Sequence, residues 1–279
     1  MKYQEILNKG SQILKANNIE SSNLDCELIL SKVLKKTREE ILINLTNKID
    51  NKQKNEFVFY LNKRKKKNPI SHILGFKFFW KYKFYINKST LIPRPESEHL
   101  VEQTLKYMQM GKSMKILDIG TGSGCLVISI LNERGNCTAS AIDISKEALE
   151  VAEKNLKIHS CYNQIQLKMI DYKNINSKFD LIVSNPPYLT NEQFNNADPE
   201  VRNFEPKLAL VGGDDGLKFY REYSKNIKNL MNKSAYFICE IGINQRQDCE
   251  EIFENSGLNL NKIVNDLQGI ERILSFSKI

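Results

Sequence analysis

Apolar positions in the first 75 residues recur at helical spacing, whereas those beyond about residue 115 gather into short strand-length runs. Ile6, Leu7, Ile13 and Leu14 make one helical face, and Leu24, Leu28 and Ile29, continued by Val33 and Leu34, make a second. Thr37-Arg38-Glu39-Glu40 has the capping-box pattern ahead of Ile41-Leu42, and Asp50 is placed to cap a helix carrying Phe57, Val58, Tyr60 and Leu61. No alternation appears before Phe78, so residues 1–75 are expected to form a small helical domain. Residues 76–86 then alternate aromatic and polar side chains around Lys81, which predicts a hairpin within a linker spanning 76–90. Leu91-Ile92-Pro93-Arg94-Pro95 must be extended, because each proline disfavours helix at the residue before it. Residues 96–110 read as a helix.

From there to the end, residues 91–279 read as one α/β domain. Strands are predicted at 115–119, 138–143, 165–170, 179–184 and 235–241, and helices at 125–131, 217–231 and 244–256. A polar loop is expected from Tyr188 to about Gly213, a length that often carries function. Within it, Phe204-Glu205-Pro206 reads equally as part of a substrate mouth or as a buried turn. A hairpin closes the chain.

Composition narrows the class. The 279 residues suffice for one large and one small domain, each with a core. No run approaches a membrane span, and the polar start does not read as a signal peptide, so a cytoplasmic protein is expected. The six cysteines are scattered without a C-x-x-C pair and read as small buried residues; neither zinc nor disulfides are indicated. None of the three histidines has metal-ligand spacing, and His72 reads as structural. Charge is uneven: residues 1–90 hold about 19 Lys/Arg against 8 Asp/Glu, although the whole chain carries a net +8. The basic run Lys63-Arg64-Lys65-Lys66-Lys67 admits three readings: a nucleic-acid surface, a docking face for an acidic protein, or a solvated helix end where cations suit the dipole.

The candidate chemistry centres on Asn185-Pro186-Pro187-Tyr188. It follows the buried run Phe179–Ser184, and open α/β sheets place ligands at the C-terminal ends of such strands. The Asn185 side-chain oxygen and the Pro186 carbonyl are two acceptors, and the two prolines hold their aim. Tyr188 is suited to lie on a planar group with its hydroxyl at the rim. Two acceptors gripping the N–H bonds of a planar amino group would turn its delocalised lone pair towards an electrophile. The tetrapeptide alone does not separate a glutamine amide from adenine N6 or guanine N2.

Upstream, the strand ending at Ile119 runs into Gly120-Thr121-Gly122-Ser123-Gly124 and then a helix, a turn that lets backbone approach a ligand. The dinucleotide fingerprint would place its third glycine at 125, where Cys125 stands. About twenty residues on, a strand ends in Asp143, placed to accept from both ribose hydroxyls. The next ends near Asp171-Tyr172, where a carboxylate and a ring suit an adenine amino group and its edge.

This order of motifs resembles the class I S-adenosylmethionine-dependent methyltransferases that alkylate amino nitrogens. The flanking segments narrow the resemblance. They are Pro69-Ile70-Ser71-His72-Ile73-Leu74-Gly75, Phe79-Trp80, and Leu91-Ile92-Pro93-Arg94-Pro95-Glu96-Ser97-Glu98 before the glycine turn. After the tetrapeptide come Asp198-Pro199-Glu200-Val201, Phe204-Glu205-Pro206, residues 209–216 and Asp266-Leu267-Gln268-Gly269-Ile270-Glu271-Arg272. Together, over roughly residues 69–275, they resemble the HemK/PrmC family, glutamine methyltransferases of peptide chain release factors. The first 68 residues match in length and helical character.

The resemblance implies a Rossmann-like class I methyltransferase sheet with a small N-terminal helical bundle and a β-hairpin linker. It implies S-adenosylmethionine as methyl donor and the Gly-Gly-Gln glutamine of release factors as acceptor, with the helical domain docking that partner. Gly120, Thr121, Gly122, Ser123 and Gly124 would then line the methionine half of the cofactor, with Asp143 on ribose, Asp171 and Tyr172 at adenine, and Asn185 also in contact with the cofactor. Asn185, Pro186, Pro187 and Tyr188 would hold the acceptor amide. A monomer acting on protein and not on nucleic acid is expected. Two other readings are a nucleic-acid amino-methyltransferase, which would have to flip its base, and a catalytically inactive cofactor-binding scaffold. Arg94 and Glu98 are candidates for a cofactor lid.

Overall fold

Five helices arise from the front segment: Tyr3–Lys15, Ser22–Leu34, Arg38–Leu42, Asn51–Lys65 and Ile70–Leu74. The protein is described by a computed structural model covering residues 1–278. Both predicted caps form. The Glu40 amide donates to Thr37 Oγ1 (3.2 Å) while Glu40 Oε2 accepts from the Thr37 amide (2.6 Å), and Asp50 exchanges the same pair of bonds with Gln53. The buried faces differ in detail from the expected ones. Tyr3, Ile6, Leu7 and Leu14 go inward on the first helix and Cys26, Ile29, Leu30 and Val33 on the second, while Ile13, Leu24 and Val58 are exposed. Spacing identifies a helix face, but flanking apolar residues at its margin do not declare their side.

The chain divides into two units, residues 1–76 with 198–204, and residues 77–197 with 205–279. The span 91–279, expected as one domain, lies in the second unit except for residues 198–204. An ion pair explains the grouping of 198–204 with the first unit: Arg64, buried within the basic run, binds Asp25 through Nε (2.6 Å) and Glu200 through Nη1 (2.7 Å). Asp25 also accepts from the Ser21 hydroxyl, and Arg64 Nη1 donates to the Asn68 carbonyl. One member of the basic run is therefore an internal structural cation.

In the second unit the predicted hairpin forms from β1 (Phe76–Phe79) and β2 (Tyr82–Tyr85). Trp80 turns it at φ 55°, held by its amide on Glu98 Oε1 (2.9 Å) and its indole on Glu133 Oε1 (3.0 Å). Glu98 thus anchors the hairpin. Seven strands follow: β3 (Lys115–Ile119), β4 (Thr138–Asp143), β5 (Ile165–Met169), β6 (Phe179–Ser184), β7 (Met231–Glu240), β8 (Leu258–Asn265) and β9 (Glu271–Lys278). They form one sheet in the order β5-β4-β3-β6-β7-β9-β8, parallel from β5 to β7 with β9 antiparallel to β7 and to β8.

Alternate strand residues feed two cores. Ile116, Ala139, Leu181, Val183 and Ile238 pack with the helices Glu98–Tyr107 and Cys125–Glu133. Leu117, Ile119, Ile142, Ile182, Phe237 and Cys239 pack on the other side with Tyr220, Tyr223 and Phe253. Burial on both faces is why these strands read as continuous apolar runs.

Two expectations fail locally. The segment after Tyr188 is not a plain loop: helices Asn191–Asn196 and Pro199–Phe204 and a 3-10 turn Lys207–Ala209 interrupt it. The first is started by a Thr190–Gln193 capping box, and a proline opens the second. The helix expected over 217–231 breaks into Lys218–Ser224 and Ile227–Leu230, and the fifth strand of the parallel set begins at Met231. Among the described residues no helix is long and apolar enough to cross a membrane.

Removing one partner of a buried ion pair strands the other charge, at a cost of about 3–5 kcal/mol. Asp25→Ala leaves Arg64 only the partly exposed Glu200 and is expected to destabilise the front unit by about 3 kcal/mol, the low end of that range, read from its urea unfolding midpoint. Glu200→Ala should cost clearly less, because that carboxylate is partly exposed.

Candidate active site

Strand register assembles the site. Ile119 of β3 pairs with Ser184 of β6 and with Ile142 of β4, and Asp143 pairs with Met169 of β5. The residues that immediately follow these ends, Gly120 and Asn185, are therefore level with Asp143. The order reverses between β3 and β6, the topological switch point where such sheets bind ligands. A hydroxyl ties the two ends together: Ser184 Oγ donates to the Ile119 carbonyl at 2.9 Å.

A single cavity opens over this edge. Gly120, Thr121, Gly122, Ser123, Asp143, Asp171, Tyr172, Asn185, Pro186 and Pro187 all line it, with apolar wall from Ile119, Leu126, Ile142, Ile144, Ile170 and Phe219. Gly120 and Gly122 take positive φ (74° and 56°), and a Cβ on Gly120 would meet nothing within 4 Å, so the turn leaves open space on its ligand side. Asp143 fastens that turn to β4. Its Oδ2 accepts from the Gly122 amide and its Oδ1 from the Ser145 amide, both at 2.9 Å. Each oxygen keeps a lone pair for a further donor. Asp171 Oδ1 accepts from the Lys173 amide, and the Tyr172 hydroxyl donates to the Glu222 carbonyl at 2.7 Å, which sets its ring edge-on to Tyr223.

Two of the expected residues do not line the cavity. Gly124 caps the following helix, and a Cβ there would come within 3.1 Å of Ile128, so its smallness serves packing. Tyr188 was expected to bring its hydroxyl to the rim. The hydroxyl instead points inward and donates to Glu240 Oε1 at 3.1 Å, and burial beside that carboxylate pushes its pKa far up. The backbone around the tetrapeptide is clamped by the Leu189–Val211 bridge and by Gln245, whose Nε2 donates to the Tyr188 carbonyl at 3.0 Å. Gly216 is obligatory at that clamp, because a Cβ would stand 2.3 Å from the same carbonyl.

Sequence reasoning passed over three polar residues. Ser97, next to the noted Glu98, accepts from Asn185 Nδ2 at 2.8 Å and donates to Glu240 Oε2 at 2.5 Å. Glu240 ends β7 and is buried; burial raises its carboxyl to about 6, against the opposing pull of its Ser97 and Tyr188 hydrogen bonds and of Arg272. Asp118 lies in β3, accepts from the Thr121 hydroxyl at 2.7 Å and is raised to about 7 by complete burial. For Glu240 the available signal was a polar residue ending an otherwise apolar strand run; Asp118 within β3 and Ser97 ahead of a helix carried no such mark. Arg94 lines the cavity and pairs with Glu205, whose other oxygen accepts from the Ile92 amide at 2.9 Å. Glu205 is thus a buried brace, while neighbouring Pro206, Leu208 and Ala209 do line the cavity.

Known proteins resemble both parts of the chain. Residues 5–75 match the family model described as PrmC N-terminal domain, and residues 97–200 match the Methyltransferase small domain. The chain is 35% identical over 277 residues to the release factor glutamine methyltransferase of Fusobacterium nucleatum subsp. nucleatum, covering 98% of this chain and 78% of that one. Identity is 36% over 263 residues with the release factor glutamine methyltransferase of Caulobacter vibrioides, covering 94% and 91%. Among solved structures, a ribosomal protein L11 methylase from Lactobacillus delbrueckii subsp. bulgaricus superposes with a TM-score of 0.50 at 21% identity, over 67% of this chain and 80% of that one. At that identity the likeness concerns the fold alone.

The buried Asp118 has a consequence for stability. Its folded pKa of about 7 lies above the ordinary value of 3.8, so the folded state binds the extra proton between those values. Stability therefore falls as pH rises through that window and levels off above it. Asp118→Asn is expected to be more stable than the parent at pH 8, by on the order of a few kcal/mol, with the gap closing towards pH 4. Thermal unfolding of both proteins across that range measures it, and a gap independent of pH would contradict the assignment.

Proposed function

We propose, from the premise that this chain belongs to the release factor glutamine methyltransferase family, that Asn185 and the Pro186 carbonyl orient a glutamine side-chain amide for methylation. The enzyme transfers the methyl group of S-adenosylmethionine to the glutamine of a release factor, and the acceptor is the glutamine of the Gly-Gly-Gln loop. One observation carries the site reading: the glycine turn and the Asn-Pro-Pro segment line one cavity at the sheet's switch point.

The lining fits the methyl donor. The open side of Gly120 admits close backbone approach, the free lone pairs of Asp143 suit a pair of hydroxyls, and Asp171 with Tyr172 suits the amino edge of a flat base. The apolar wall of Ile119, Ile142, Ile144 and Phe219 suits the base's faces. S-adenosylmethionine supplies a methyl group on a positively charged sulfur, which departs as a neutral thioether.

The chain's own task is orientation. Two acceptors, Asn185 Oδ1 and the Pro186 carbonyl, engage the two N–H bonds of the amide and leave its nitrogen lone pair facing the methyl group. The nitrogen becomes acidic only as it is alkylated, so no strong base has to act beforehand. Holding two reactants in line is worth about 7–11 kcal/mol, enough to make positioning the main contribution. Pro187 stiffens the turn, and Tyr188 anchors it from behind through Glu240.

A base amino group as acceptor is the less favoured reading, because the front residues match the PrmC N-terminal domain and the named relatives act on release factors. Acting on a translation factor in the cytoplasm, and so in translation termination, the enzyme works as a monomer on protein, with its basic helical unit as the docking module. The Asn-Pro-Pro-Tyr motif is its amide-binding element.

Asn185→Ala is expected to keep cofactor affinity within about threefold and to cut turnover about 10²-fold, a loss of about 2.7 kcal/mol. Labelled methyl transfer to purified release factor, with rRNA and DNA as parallel acceptors, provides the measurement. Near-normal turnover in the variant would sink the role of Asn185, and label on nucleic acid alone would sink the acceptor.

A further inference from the structure

We propose that Glu240 and Ser97 are positioning residues that decide which end of the Asn185 amide faces the substrate. The inference rests on the reading of Asn185 Oδ1 as an acceptor for the substrate amide, and it adds what makes that oxygen, not the nitrogen, point outward. The two ends of an asparagine amide are nearly the same size, so packing alone discriminates weakly between them. A directional hydrogen-bond chain discriminates strongly.

That chain begins at β7. Cys239 pairs with Ser184, so the next residue, Glu240, comes level with Asn185. The Glu240 side chain is buried, with Oε2 2.5 Å from Ser97 Oγ and Oε1 3.1 Å from the Tyr188 hydroxyl. An ionised carboxylate can only accept. Ser97, itself buried, has one proton and must give it to Glu240. Its oxygen then has only lone pairs left for Asn185, 2.8 Å away, and the partner it takes is Nδ2. Oδ1 is left as the end that can serve a ligand in the cavity. The same carboxylate receives the Tyr188 hydroxyl, so one buried charge aligns both ends of the tetrapeptide.

A purely structural role would not need the charge. A glutamine in place of Glu240 has the same shape, could still accept from Tyr188 and could satisfy Ser97 with its NH2 group. Doing so reverses the chain: Ser97 would accept from the new amide and donate to Asn185 Oδ1, which turns Nδ2 towards the substrate. The natural carboxylate is kept although its burial is unfavourable. The groups that bear on its ionisation are Arg272 on β9, which favours the charge, Glu96 beside Ser97, which opposes it, and the Tyr188 hydroxyl. With a pKa of about 6, Glu240 is mostly ionised at neutral pH and loses its directing power below that value.

The test compares Glu240→Gln, Ser97→Ala, the double variant and Asn185→Ala in the full-length enzyme. Turnover on release factor, cofactor affinity by calorimetry and thermal stability are measured for each. Glu240→Gln is expected to lower kcat at least about tenfold, with cofactor affinity within about threefold and a melting temperature equal to or above the parent's at pH 8. The double variant should be no slower than Ser97→Ala alone, since a broken chain has no direction left to reverse. The acid limb near pH 6 in the parent's kcat should be missing from the Glu240→Gln profile, whereas a limb due to Asp118 would remain in both.

Parent-like kcat in Glu240→Gln, a kcat loss matched by lost stability or cofactor binding, or additive losses in the double variant would each overturn the proposal. Normal turnover in Asn185→Ala would overturn the underlying amide reading instead, so the two failures are distinguishable.

Discussion

Level strand ends in a parallel sheet are the constraint on which everything at this site depends. β3, β4, β6 and β7 are hydrogen-bonded in a register that aligns Ile119, Ile142, Ser184 and Cys239 along one edge. Each strand is mainly apolar while it runs between two cores, and the residues at or just past that edge are Gly120, Asp143, Asn185 and Glu240. A one-residue slip of β6 would put Ser184 where Asn185 stands and expose a core side chain to the wrong face. The burial that stabilises the sheet therefore also aims the chemistry. The Ser184 hydroxyl on the Ile119 carbonyl pins the register where the strand order reverses.

The same edge is where the protein accepts unfavourable burial. Asp118 and Glu240 are carboxylates enclosed on all sides, and both have their pKa raised by that enclosure. Each is nonetheless hydrogen-bonded to a hydroxyl that belongs to the site: Thr121 in the glycine turn, and Ser97 against Asn185. Buried acceptors with fixed partners are rigid, and the hydrogen bonds of Glu240 have a defined direction because an ionised carboxylate cannot donate. The front unit uses a buried charge differently. Arg64 is held between two carboxylates, and its role there is to join residues 198–204 to the helices.

Legibility followed the range of the interactions. The capping boxes at Thr37 and Asp50, the five parallel strands and the terminal hairpin were readable because each is written in adjacent residues. The motif set was readable for the same reason, since Gly120 to Gly124, Asp143, Asp171 and Asn185 each stand at the end of a recognisable apolar run. What escaped was set by side-chain direction. Nothing in the tetrapeptide says that the Tyr188 hydroxyl turns inward, because its partner Glu240 lies 52 residues away on another strand. Ser97 looked like one more polar residue at a helix start. Gly124 looked like a ligand glycine, although its constraint comes from Ile128 one turn along the helix it caps. The Thr190–Gln193 box was local and readable, but the polar composition around it masked the helix.

Catalysis by orientation puts demands on a scaffold that acid–base catalysis does not. A general base tolerates small errors in aim if its pKa is right, whereas an amide gripped by two acceptors must be met at the right angle by both. The Pro186 carbonyl is a backbone atom, fixed by the prolines, the Leu189–Val211 bridge and the Gln245 clamp. Of the two acceptors proposed for the amide, the Asn185 oxygen is a side-chain atom with a rotatable bond behind it, and so the weaker. Its orientation needs an external reference. The sheet supplies one at the neighbouring strand end, where a buried carboxylate with a serine between gives the amide only one way to face.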